Sequence, residues 1–223
     1  MESLTVVHKI NIAIHVAAGS LALIIGLIAI IASKGKKLHR LIGRIFLILM
    51  SIVIITGLIG VFVFGRNTFL LVITVLSGYL AFSGYRAIKT KSNNPNPIDI
   101  GICLLSLISV LYFLYYFNSI GMIWSPVIIY STVGYLFFII TYDLGRYFIP
   151  TKIYANLWIY EHILKMVGAF SGLLSAFSGT VFPQYQPYSQ FIPSILGTLI
   201  TIGFMIDVSR RKKYIDVNLK TIG

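Results

Sequence analysis

The stretch Asn156–Val181, NLWIYEHILKMVGAFSGLLSAFSGTV, decides the fold. It is long and apolar enough to cross a bilayer, a task that needs about 20 residues. Yet Glu161, His162 and Lys165 sit within its first turns. Ionisable groups in a membrane helix are costly, so they face protein, a water-filled cavity or a ligand. Glu161 and Lys165 are four apart and pair along one helix face. That face continues through Gly168, Gly172, Ala176 and Thr180, small residues that let another helix backbone come close. The plainer alternative is an interfacial helix start, with Lys165 snorkelling to the headgroups.

Composition extends the membrane reading to the whole chain. Of 223 residues 57% are hydrophobic and only 11% charged, whereas soluble domains carry about 25% charged residues. Apolar runs of spanning length fall at roughly 10–33, 42–65, 68–88, 99–119, 124–146, 156–181 and 189–208. The expected fold is therefore an all-α membrane protein, a seven-transmembrane-helix bundle. Residues 1–214 form one polytopic membrane domain and 215–223 a cytoplasmic tail. No cleavable signal is expected, because the first apolar run is too long and a polar His8-Lys9-Ile10-Asn11 precedes it.

The net charge of +12 is not spread evenly. Lys34, Lys36, Lys37, Arg40 and Arg44 follow the first span; Arg86, Lys89 and Lys91 flank the loop after the third. Arg146 and Lys152 follow the fifth, and Arg210 to Lys213 follow the seventh. The alternate loops carry only Arg66. Basic loops stay cytoplasmic, so the N-terminus is expected outside and the C-terminus inside a bacterial inner membrane. The expected partners are the lipid bilayer and anionic headgroups on the cytoplasmic side, with a homo-oligomer or partner membrane protein open and no nucleic acid. The single cysteine, Cys103, makes neither an internal disulfide nor a metal motif.

This orientation collects scattered polar residues. His39 starts the second helix, Asp143 ends the fifth, and Glu161 and His162 begin the sixth span, all within about two helical turns of one depth. Asp143, three before Arg146, has an exposed ion pair as its simplest reading. His15 lies near the outer end, where a hydroxyl on a neighbouring helix would satisfy it.

Three functions fit this set. His39 and His162 from separate helices would bind a metal or haem b, with His15 as a further cofactor-binding candidate, for membrane redox chemistry. Alternatively His39, His162 and Asp143 would hold zinc, with Glu161 the catalytic base of a lipid hydrolase. The last helix lacks the His-x-x-x-His pair of the seven-helix ceramidase and adiponectin-receptor type. The third is a scaffold, partner subunit or small-molecule carrier; no phosphate-binding loop, dinucleotide fingerprint or Ser-His-Asp set is present.

Three stretches resemble a bacterial family of predicted membrane proteins of unestablished function. They are His15-Val16-Ala17-Ala18-Gly19; Lys34-Gly35 with His39-Arg40-Leu41-Ile42-Gly43; and Trp158, Glu161-His162-Ile163, Met166, Gly168 and Ala176-Phe177. The resemblance covers the first, second and sixth spans. It leaves His15, His39 and His162 as matched positions. Where the family has a His-His pair, this chain has Glu161-His162.

Overall fold

The computed structural model describes residues 2–65, 68–120 and 125–222, and the side chains of 5–65, 71–119 and 125–211. All regular elements among them are helical: α1 (Glu2–Ile31), α2 (Lys37–Phe62), α3 (Thr68–Thr90), α4 (Pro97–Ile120), α5 (Pro126–Gly145), a short α6 (Thr151–Tyr154), α7 (Trp158–Val181) and α8 (Tyr188–Ile222). Seven of these are long and apolar enough to span a membrane; α6 is the exception. The chain is thus a multi-pass membrane protein. The residues read as a tail, 215–223, continue α8 as helix through Ile222.

The apolar runs become helices because a bilayer leaves no water for unpaired backbone groups, so each span bonds its own backbone. Helix ends fall where the sequence breaks the pattern. Gly35 takes φ +76° between α1 and α2, a left-handed conformation open to glycine. Lys34 Nζ donates to the carbonyls of Ala29 (3.3 Å) and Ile30 in the last turn of α1 and of Ala32 (3.0 Å) just past it. Pro97 and Pro126 open α4 and α5, where the missing N–H costs nothing.

Burial sorts the helices. The α3 span is 61% buried within the chain, whereas those of α1, α2 and α8 are 17% buried. Helix α3 packs against α7 and touches α2, α4 and α5; α7 also packs on α8 and α1. One apolar core lies among α3, α4 and α5, with Leu80, Val110, Phe113, Leu136 and Ile139 inside it. A second lies among α1, α2 and α7, around Ala22, Phe46, Met50 and Phe170. Exposed Leu21, Ile24 and Leu27 on α1, Leu105 and Ile108 on α4, and Ile195 and Leu199 on α8 form the outer surface. Such apolar exposure suits hydrocarbon rather than water.

The α3–α7 seam uses small residues as expected. A Cβ on Gly84 would lie 2.9 Å from Lys165 Cβ, and one on Gly168 would lie 3.2 Å from Leu80 Cδ1. A Cβ on Gly172 would run into Ser77 Oγ. The antiparallel arrangement gathers the C-terminal ends of α1, α3 and α5 with the N-terminal ends of α2, α4 and α7. Most of the basic residues fall at this end, here called the basic end.

Gly84→Val is expected to push α3 from α7 and cost roughly 1–3 kcal/mol, the usual range for overpacking. Gly43, whose Cβ would meet nothing within 4 Å, should tolerate alanine. Unfolding of the two variants in detergent micelles compares them directly.

Candidate functional site

At the basic end six ionisable side chains interlock. Arg86 is on α3, Asp99 on α4, Asp143 at the end of α5 with Arg146 just after it, and Glu161 and Lys165 on α7. Lys165 is fully buried. Its Nζ donates to Asp143 Oδ1 at 2.5 Å and to Glu161 Oε2 at 3.4 Å. Arg146 Nη1 donates to Glu161 Oε2 at 2.9 Å. Arg86 holds Asp99 through two bonds, of 2.6 and 3.0 Å. Arg146 Nη2 stands 4.0 Å from Asp99 Oδ2, which links the two halves. Three cations therefore meet three carboxylates.

Tyrosines complete the carboxylate shells. Tyr142 OH donates to Glu161 Oε1 at 2.7 Å and Tyr154 OH to Oε2 at 3.1 Å. Tyr79 OH donates to Asp143 Oδ2 at 2.7 Å, with Cys103 Sγ 3.3 Å away. Burial, then the Glu161 carboxylate, pushes the Tyr154 phenol above the usual tyrosine range, so it remains a donor. Asn93, buried in the loop after α3, donates to the carbonyls of Arg146 (3.0 Å) and Ile149 (2.6 Å). It fixes the turn that carries Arg146 inward.

The expected exposed Asp143–Arg146 pair is corrected on both counts. Each residue is buried, and each binds α7: Asp143 through Lys165, Arg146 through Glu161. The expected Glu161–Lys165 contact exists, but the ammonium lies nearer Asp143. Lys165 does not snorkel. Glu161 accepts from four donors, so it is the anionic hub of the cluster rather than a poised base. Sequence reasoning missed Tyr79, Tyr142, Tyr154, Arg86 and Asp99 as its members. Asp99 had a signal: it is one of only six acidic residues in the chain and lies in the first turn of a spanning helix.

The histidines form a separate group. His162 Nδ1 lies 2.9 Å from Gly84 O on α3. His39 Nδ1, at the start of α2, lies 3.1 Å from Ala29 O on α1. A carbonyl only accepts, so both Nδ1 atoms carry the proton and both Nε2 lone pairs are available. A metal-binding imidazole commonly donates its other N–H to a carbonyl in this way. The donor set thus fits a bis-imidazole ligation of a transition metal or haem iron.

The other expected ligands do not join them. Asp143 is committed to Lys165 and Tyr79, and no three His, Cys, Asp or Glu side chains among the described residues gather as a metal-ion group. The His39–His162–Asp143 zinc triad is therefore not assembled; a catalytic zinc site takes three protein ligands. His15 Nδ1 bonds Thr56 Oγ1 on α2 at 2.9 Å, the hydroxyl partner expected for it. It lies 14 residues up α1 from Ala29, about 21 Å at 1.5 Å per residue.

Compared with family models, curated proteins and solved structures, the chain matches none.

Removing one member of a buried ion pair leaves its partner charged and unpaired, which typically costs about 3–5 kcal/mol. Lys165→Met is expected to destabilise the protein on that scale. Adding Asp143→Asn should restore part of the loss, because the orphaned carboxylate is then gone. A double-mutant cycle on detergent unfolding measures both effects.

Proposed function

We propose that the chain is a multi-pass protein of the bacterial cytoplasmic membrane that holds a transition metal or haem iron between His39 and His162 and serves membrane redox chemistry. One observation carries the reading: imidazoles from α2 and α7 at the basic end, each with Nδ1–H tied to a backbone carbonyl and Nε2 left to bind. Two histidines are a common axial pair for haem iron, which supplies one-electron transfer when bound.

The chain's own contribution is positional. The Ala29 and Gly84 carbonyls set each ring's tautomer and orientation, and an N–H···O=C bond raises the basicity of the remaining nitrogen. Helices α1 and α3 thereby act as supports, and α2 and α7 carry the ligands. The hub of the neighbouring ion-pair cluster, Glu161, is the residue before His162. It ties the start of α7 to α5, which holds the ligand's backbone in place. This gives the Glu161-His162 departure from a His-His pair a physical use: Arg146 and Lys165 need an anion there.

The proposed orientation puts the basic end at the cytoplasm, following the positive-inside tendency. Anionic lipid headgroups are the proposed partners of that end. A groove of about 320 Å³ lined by Lys37, Arg40, Leu41 and Arg44 supports this, since exposed Lys and Arg near the headgroups attract anionic lipid.

Absorbance and elemental analysis of the purified protein test the reading. A Soret band, or a transition metal at one per chain without one, is expected. His162→Ala and His39→Ala should each lower that content at least about tenfold, as loss of a ligand or its support does. His15→Ala should leave it near the native level. A protein free of both, or His162→Ala with full content, overturns the proposal.

A further inference from the structure

On the side of the cluster away from α7, a small cavity lies among α3, α4 and α5. Its volume is about 10 Å³, which suits a single water. Asp143, Arg146, Ser83 and Cys103 face it, and the Arg86–Asp99 pair bounds it. Two polar atoms there, Ser83 Oγ and Arg146 Nε, meet no protein hydrogen-bond partner, although both residues are more than nine-tenths buried. Buried polar groups are almost always paired, with protein or with water. An N–H donor and a hydroxyl facing a water-sized polar space are the partners a buried water requires.

The geometry points to a water-binding site through which Asp143 exchanges protons with the aqueous phase at the basic end. This goes beyond the metal reading and does not depend on it. Exposure is graded along the route: the side chains of Asp143 and Arg146 are 6% and 5% exposed, that of Asp99 9% and that of Arg86 15%. Arg86 is the most exposed of the four, so the route opens toward its end. Water in the cavity would touch Arg146 Nε and Ser83 Oγ and bring a hydrogen-bonded chain to Asp143.

The groups that face Asp143 make the step chemically balanced. They are Lys165 from α7, with Glu161 behind it, Tyr79 from α3 and Cys103 from α4, while Arg146 follows on its own segment. Arg86 and Asp99 stand across the cavity. A proton relayed from the aqueous phase, entering the cavity water as another leaves it for the Asp143 carboxylate, makes a neutral carboxyl and leaves the water neutral. Lys165 keeps Glu161 as its counter-charge, because its ammonium already donates to both carboxylates. No other bond need break.

Cys103 is the chain's only cysteine, so its S–H stretch in the infrared reports one position facing the cavity. The protein in lipid nanodiscs is transferred to deuterated buffer, and loss of the S–H band is followed beside the backbone amides. Conversion to S–D is expected at least about tenfold faster than exchange of the slowest core amides, which open only with the fold. Ser83→Val and Ser83→Thr each put a methyl into the cavity and should slow the conversion at least about tenfold, with core amides as protected as in the native chain. Ser83→Ala should not slow it. The carboxylate band missing from Asp143→Asn should answer a pH jump more slowly in Ser83→Thr. Cys103 exchanging only with the slowest amides, or at the native rate in Ser83→Thr, overturns the site. Metal content is unaffected by these results, so the two proposals fail separately.

Discussion

The arrangement depends on the burial of one ammonium. Lys165 is inaccessible to solvent among packed helices at the basic end, and an isolated charge there would be intolerable. Two carboxylates on different helices neutralise it, Asp143 from α5 and Glu161 from its own α7. Glu161 then needs Arg146, and Arg146 reaches toward Asp99, which Arg86 holds. Each ion is present because the previous one is. The result is a neutral cluster that fastens α3, α4, α5 and α7 at one end.

Such a cluster is not evidence of great stability in itself. Coulomb attraction among buried ions is offset by the loss of their hydration, and a well-packed apolar replacement is often as stable. What it provides is specificity. Apolar side chains meet lipid tails about as favourably as they meet each other, so hydrophobicity alone does not choose helix partners in a membrane. Small residues at Gly84, Gly168 and Gly172 allow α3 and α7 to close, and the ions fix the register at which they do. The same register presents the Gly84 carbonyl to His162. Seam, ion cluster and histidine pair are therefore consequences of one packing arrangement.

The cluster and the histidine pair occupy adjoining parts of the basic end but differ in kind. In the cluster most polar atoms are matched, whereas Arg146 Nε and the neighbouring Ser83 Oγ, without a hydrogen-bond partner among the described residues, face the small cavity. In the pair, each ring has one nitrogen committed to a backbone carbonyl and one left over. A matched set resists change; an unmatched donor or acceptor invites a ligand. His39 and His162 keep a free nitrogen for a ligand and Arg146 a free N–H for water, whereas both carboxylate oxygens of Glu161 are already engaged.

Sequence alone determined the seven spans, because hydropathy over about 20 residues measures the property that selects a transmembrane helix. It also determined the close seam along α7, since small residues at four-residue steps share a face whatever the partner. It located the ends at which polar residues collect. It did not determine which charges pair, because the Lys165 contact with Asp143 and the Arg146 contact with Glu161 join residues 22 and 15 positions apart in the chain. Only the tertiary arrangement, in which α3 packs on α7 and touches α5, decided that Asp143 turns inward to Lys165 rather than outward to Arg146. The same packing separated Asp143 from the histidines and set His15 beside Thr56. Local pattern fixes which faces are polar; the depth and rotation of neighbouring helices fix which polar groups meet.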